Sequence, residues 1–261
     1  MDNPLDYRGR VVLVTGGTKG IGHAIARRYA EAGATVVACA RTAPDDPAAS
    51  ARTAPDDPGA GVDFVACDVR DADQVTALVD TVVERHGRLD VVVNNAGGGP
   101  WADTATASPR FSERIIALNL VAPLVVSQAA YRIMTRQDGG GAIVNIASVS
   151  GIRPSPGSAA YGAAKAGLLN LTQTLAVEWA PAVRVNAVVA GLIATDDMEA
   201  TYGDEATQAR MAATVPMGRF GTADDVAGAC LFLSSPLAAF VSGAALAVHG
   251  GNERPSILEV V

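Results

Sequence analysis

Apolar residues fall into short runs separated by stretches with helical spacing. Val11 to Thr15 (VVLVT) is a continuous β-branched run without polar alternation, the pattern of a strand covered on both faces. Gly16, Gly20 and Gly22 follow in TGGTKGIG, and Ile21, Ile25, Ala26 and Tyr29 then repeat at helical spacing until Gly33. Thr35 to Ala40 is a second apolar strand. Strand, glycine-rich turn, helix and strand make a βαβ unit, which implies parallel pairing.

The alternation continues. Val62 to Cys67 reads as a strand, and Val75, Leu78, Val79, Val82 and Val83 stripe a helix that ends near Gly87. Leu89 to Val93 leads into Asn94-Asn95-Ala96-Gly97. A long helix is predicted from about Pro109 to Arg136, with Asn119 in its middle, where an amide competes for backbone hydrogen bonds. Ala142 to Ala147, Val183 to Val189 and Ala244 to Val248 are further strands, and Ala159 to Trp179 is a helix between two of them. Six or seven apolar strands with intervening helices predict one doubly wound parallel α/β domain of Rossmann type, with no internal boundary over 261 residues.

Composition narrows the function classes. Hydrophobic residues are 49% and charged residues 18%, enough for a large core and against disorder. The formal net charge of −7 argues against nucleic acid and anionic membrane as partners. Cys39, Cys67 and Cys230 lie in apolar runs, as reduced core residues do. MDNPLDYRGR has no apolar signal core and no run of 18 apolar residues occurs, so a soluble cytoplasmic protein is expected. His23, His86 and His249 show no metal-ligand spacing, and no metal is expected.

The chemistry gathers at the strand ends. Turn glycines let backbone approach a pyrophosphate, and a helix N-terminus offers free N–H groups and a positive dipole end. NAD binding calls for a carboxylate at the end of the second strand; here Ala40 is followed by Arg41, with Lys19 in the glycine turn. Two cations there favour the 2′-phosphate of NADP over NAD. The loop 42–61 carries the octapeptide ARTAPDDP twice, at 40–47 and 51–58, so Arg52 copies Arg41 and four Asp residues add negative charge nearby. Further on, Ser148 precedes Tyr161 by thirteen residues, and Lys165 lies one helical turn beyond Tyr161. A neighbouring ammonium is expected to lower the phenol pKa toward general acid/base use, and Ser148 to donate to the reacting oxygen.

These residues resemble the short-chain dehydrogenase/reductase family in its shorter, single-domain form. The resemblance spans Val11 to Gly251 and rests on TGGTKGIG, CDV (67–69), NNAG (94–97), Asn119, Ser148, YGAAK (161–165), VRVNAV (183–188), PMGRFGTADDVA (216–227) and VHGG (248–251). It implies a tetrad of Asn119, Ser148, Tyr161 and Lys165. Tyr161 would transfer the proton and Ser148 hold the substrate oxygen; Lys165 would bind the nicotinamide ribose, and Asn119 a water leading to solvent. Gly16, Thr18, Lys19, Gly20, Ile21, Gly22 and Arg41 would bind the phosphates and ribose. Asp68 and Val69 would meet the adenine, Asn95, Ala96 and Gly97 would line the cofactor, and Gly191, Ile193 and Thr195 would reach the carboxamide end. Ala190-Gly191 replaces the family's usual Pro-Gly, and His249 stands where an acidic residue is common.

The expected activity is reversible, NADP-dependent reduction of a ketone to a secondary alcohol. Trp101, Leu192, Met198, Tyr202, Met211 and Met217 suggest a substrate wall for an apolar, fairly bulky molecule, with 3-oxoacyl and steroid-like ketones both open. A cofactor-binding sensor without turnover, and lyase or epimerase chemistry, are the alternatives. The resemblance also implies a homo-oligomer, a tetramer or dimer.

Overall fold

The computed structural model describes residues 3–43, 62–196 and 198–252. Most of the duplicated loop, including Arg52 and the four Asp, and the tail beyond Asn252 lie outside the described residues. Seven strands form one parallel sheet: β1 (Val11–Thr15), β2 (Thr35–Ala40), β3 (Val62–Ala66), β4 (Val91–Asn94), β5 (Gly141–Ser148), β6 (Val183–Ala190) and β7 (Ala245–Val248). Their order is β3-β2-β1-β4-β5-β6-β7. The direction of winding reverses between β1 and β4, which opens a crevice at their carboxyl ends.

The described residues form eight α-helices: α1 (Gly20–Glu31), α2 (Ala72–His86), α3 (Pro109–Ile116), α4 (Ala122–Met134), α5 (Ala159–Trp179), α6 (Met198–Tyr202), α7 (Glu205–Thr214) and α8 (Ala223–Ser234). One apolar layer joins α2, α4 and the end of α5 to the sheet through Leu78, Val79, Val126, Met134 and Trp179. The opposite layer packs α1 and α8 through Ile25, Tyr29, Val226 and Leu231. Burial on both faces explains why the strands read as continuous apolar runs. Cys39, Cys67 and Cys230 are free thiols and buried, as expected.

Several helix starts are written in single residues. Asp71, Ser108, Asp204 and Thr222 accept backbone N–H groups of the first turns of α2, α3, α7 and α8, and Gly87 ends α2 in the left-handed conformation at φ 77°.

The long helix predicted across 109–136 is not one continuous α-helix. Between α3 and α4, Ala117–Val121 forms a π-helical turn, and the Ala122 N–H reaches back to the Ala117 carbonyl. The cause is Asn119. Its Nδ2 donates to the Ile115 carbonyl at 2.9 Å, the acceptor a regular helix gives to the backbone N–H four residues on, and also to the Gly98 carbonyl at 2.8 Å. Its Oδ1 accepts the Gly98 N–H at 2.8 Å. The stretch Pro109–Met134 is long and apolar enough to cross a bilayer by length and composition, yet Ala122, Val126, Ala130 and Met134 are buried in this fold.

Asn119→Ala would leave three backbone groups without these partners. Its expected cost is about 3 kcal/mol, read as a lowered urea midpoint at unchanged slope. An unchanged midpoint would mean that packing, not the amide, holds the π turn.

Candidate active site

The turns after β1 and β4 are bonded to each other at the crevice. Thr15 Oγ1 accepts the Asn95 and Ala96 N–H groups, both at 3.0 Å. Asn95 Nδ2 donates to the Thr15 carbonyl at 2.9 Å and the Gly16 carbonyl at 3.2 Å. The Asn95 side chain is therefore a strut under the glycine turn. A Cβ on Gly22 would lie 2.1 Å from the Gly16 carbonyl oxygen, so only glycine lets α1 pack this close to the turn. Unlike the four capped helices, α1 has no side-chain cap at Lys19 and no acidic residue in its first turn. Uncapped N–H groups and a positive dipole end fit a pyrophosphate.

Lys19 and Arg41 are both exposed beside this turn. Thr195 reaches it from the far side, its Cγ2 3.6 Å from where a Cβ on Gly20 would lie. Asp68 and Val69, expected to meet an adenine, follow β3 at the same edge of the sheet. The Arg70 guanidinium bonds the Asp68 carboxylate at 2.9 and 2.6 Å and holds its pKa down at about 2. Val69 is buried in the core. A ligand here would meet the backbone of these two residues more than their side chains.

Ser148 ends β5, while Tyr161 and Lys165 occupy the first two turns of α5. Ser148 is near enough to the Tyr161 phenol to favour its charged form, and its hydroxyl accepts the Ser150 N–H at 3.2 Å. Lys165 is 3% exposed; its Nζ lies 5.5 Å from the centre of the Tyr161 ring and donates to the Ile146 carbonyl at 2.8 Å. Gly97 fits between Lys165 and Asn119, because a Cβ there would stand 3.2 Å from Nζ and 2.7 Å from Asn119 Oδ1. Both N–H groups of the Asn119 amide are given to carbonyls, so the side chain clamps the turn after β4.

The electrostatics correct one expectation. Burial pushes the Tyr161 phenol above its ordinary pKa, and the opposing bond from Ser148 is the smaller effect. The Lys165 ammonium, bonded to the Ile146 carbonyl, does not offset that burial. Burial instead lowers the Lys165 pKa to about 8.

A cavity opens beside the Tyr161 ring, with walls from the loop after β4, from α3 and from the start of α5. Phe111, Ser112, Ile115, Gly157 and Ser158 line it, and none was singled out from sequence. The Phe111–Ile115 spacing on one helix face was the available signal. Leu192, Met198, Tyr202, Met211 and Met217, the expected wall, are not among the residues lining this cavity; they belong to a neighbouring cover, whose Tyr202 acts on the Tyr161 phenol. That cover starts and ends where Ile193 bridges Gly221, and neither of its helices, α6 and α7, has a fully buried residue. Tyr202 ties it down, donating to the Ile193 carbonyl at 3.1 Å with its ring 4.9 Å from that of Phe220. Trp101 is 75% exposed and lies against Gly157, where the Ala102 N–H bonds the Gly157 carbonyl at 2.9 Å. Among the described residues no group of three or more His, Cys, Asp or Glu could hold a metal.

Known proteins share this arrangement over nearly the whole chain. The sequence profile of the family described as enoyl-(acyl carrier protein) reductase matches residues 16–253. A cis-4-hydroxycyclohexanecarboxylate dehydrogenase of Sinomonas cyclohexanicum is 41% identical over 248 residues, covering 94% of this chain and 97% of that protein. A 3alpha-hydroxysteroid dehydrogenase of Mediterraneibacter gnavus is 36% identical over 244 residues, covering 93% and 96%. The ligand-free structure of Thermoplasma acidophilum aldohexose dehydrogenase superimposes with a TM-score of 0.84 at 33% identity, covering 94% of both chains. A glycine turn under an uncapped helix, a Ser–Tyr–Lys cluster at the sheet's carboxyl edge and these relatives lead to one conclusion: the chain belongs to the short-chain dehydrogenase/reductase family of NAD(P)-dependent oxidoreductases.

Proposed function

We propose that the chain is an NADP(H)-dependent carbonyl reductase that reversibly converts an apolar ketone to a secondary alcohol, with Tyr161 as the acid/base. The observation that carries this reading is that Ser148 acts on the Tyr161 phenol while the Lys165 ammonium lies 5.5 Å from the centre of the same ring. The cofactor supplies the hydride when bound. Ser148 orients the substrate oxygen toward the phenol, and Tyr161 gives it the proton that completes the alcohol. Lys165 keeps a positive charge beside the phenolate that is left, until solvent returns the proton. With the phenol pKa raised, Tyr161 holds its proton at neutral pH and is set for reduction.

The choice of NADP rests on Lys19 and Arg41, which stand exposed where an NAD enzyme would carry a carboxylate. Gly16, Thr18, Gly20, Ile21 and Gly22 would hold the pyrophosphate. Asn95, Ala96 and Gly97 would line the path to the nicotinamide, and Gly191, Ile193 and Thr195 its carboxamide end. The names of the relatives, dehydrogenases of a hydroxycyclohexanecarboxylate and of a hydroxysteroid, support an alicyclic ketone. Exposed Leu237 and Phe240 near β7, with Val177 on α5, support a homo-oligomer, and the three free, buried thiols support a cytoplasmic one.

Tyr161→Phe should lower kcat by about 1,000-fold while the NADPH dissociation constant stays within about threefold; wild-type turnover in this variant would remove Tyr161 from its role. Ketone reduction should be steady through neutral pH and fall only in the alkaline range. Alcohol oxidation needs the phenolate and should rise with pH through that range; an oxidation optimum in acid would contradict the raised phenol pKa. Arg41→Ala should weaken NADPH binding about tenfold or more and leave NADH binding nearly unchanged; equal losses for the two would point away from the 2′-phosphate.

A further inference from the structure

The side chains around the cavity beside Tyr161 carry no charge. Gly99, Pro100, Ala102, Ala107, Phe111 and Ile115 make its apolar wall, and Thr104, Ser112 and Ser158 bring hydroxyls. Its only ionisable side chain is Tyr161, which holds its proton at neutral pH. The amphipathic turn of α3 explains this. Pro109 after the Ser108 cap starts the helix so that Phe111 and Ile115, four apart, face inward, while Arg110, Glu113 and Arg114 are exposed. The nearest buried cation, Lys165, does not line the cavity and is bonded to the Ile146 carbonyl. The cavity is narrow, about 40 Å³, and partly open to solvent.

We infer that this pocket takes a compact, uncharged ring ketone or its alcohol and rejects substrates bearing a carboxylate on the same ring. An ionised carboxylate placed among Phe111, Ile115 and Ala107 would lose its hydration and meet no cation in exchange. A neutral ring loses nothing comparable and gains apolar burial. The inference rests on reading the site as a carbonyl reductase, but it concerns what the cavity admits and can be measured without turnover.

The matched probes are cyclohexanone and 4-oxocyclohexanecarboxylate, which share the ring and differ by one charge. Calorimetric titration of each into the protein saturated with NADP⁺ should show the carboxylate binding about 100-fold or more weakly. Carboxylate affinity within about threefold of the ketone would overturn the inference. Initial rates with NADPH on the same pair separate the two ideas. No reduction of cyclohexanone, with its binding preference intact, would defeat the reductase reading and leave the charge rejection standing. Ser112→Arg puts a guanidinium into the wall and should improve the affinity ratio for the carboxylate by about tenfold. An unchanged ratio in this variant, with cyclohexanone still bound, would show that the missing cation is not the cause.

Discussion

An ammonium group held inside the protein by a single carbonyl is the constraint around which this site is built. Lys165 is 3% exposed and has the Ile146 carbonyl as its hydrogen-bond acceptor among the described residues. A charge in such a place disfavours folding, and the depressed pKa records that cost. The neighbours make sense as consequences. Residue 97 must be glycine because the ammonium and the Asn119 amide leave no room for a methyl group. Asn119 must hold the turn after β4 because that turn forms the roof over the charge. The helix offers a charge, and the sheet edge offers the acceptor that makes it tolerable.

Such a charge needs a rigid support, and a buried polar chain supplies it. Asn94 on β4 donates to Asn145 Oδ1 on β5 at 2.8 Å and to Ser127 Oγ on α4 at 3.0 Å. Asn145 in turn donates to Thr172 Oγ1 on α5 at 2.9 Å, and Thr172 donates to the Leu168 carbonyl. Each bond fixes one element against the next, and the last belongs to the helix that carries Tyr161 and Lys165. Apolar packing alone would let α5 rotate or slide by small amounts at little cost. Directional bonds in a low-dielectric interior do not. The position of the phenol is thereby set by groups well away from it.

Much of this was legible along the chain because parallel sheets buried on both faces leave a plain record. Val11–Thr15 and Thr35–Ala40 were bounded to the residue by glycine and by polarity. The glycine turn, the NNAG turn and the Ser–Tyr–Lys cluster could be placed at one edge because strand direction follows from the βαβ connection. The π turn left no trace, since Ile115, Asn119, Ala122 and Val126 keep an ordinary helical stripe across it. What breaks the helix is a hydrogen bond to Gly98, a residue remote in sequence. The direction of the Tyr161 shift was also hidden. Proximity of Lys165 was readable from spacing, but whether attraction or desolvation prevails depends on where the ammonium points. The cavity beside Tyr161 was not legible, because it is made by small residues and one face of α3, while Met and aromatic content drew the eye to 192–217.

The buried thiols have a use of their own. Cys39 and Cys67 lie in the apolar layer under α2 and α4, and Cys230 lies in the layer under α1 and α8. Each side of the sheet thus contains its own silent reporter, which no reagent in solution can touch until that side parts from the strands. Timed alkylation with peptide-level readout would tell which of the two coats loosens first, with no label added and no residue changed.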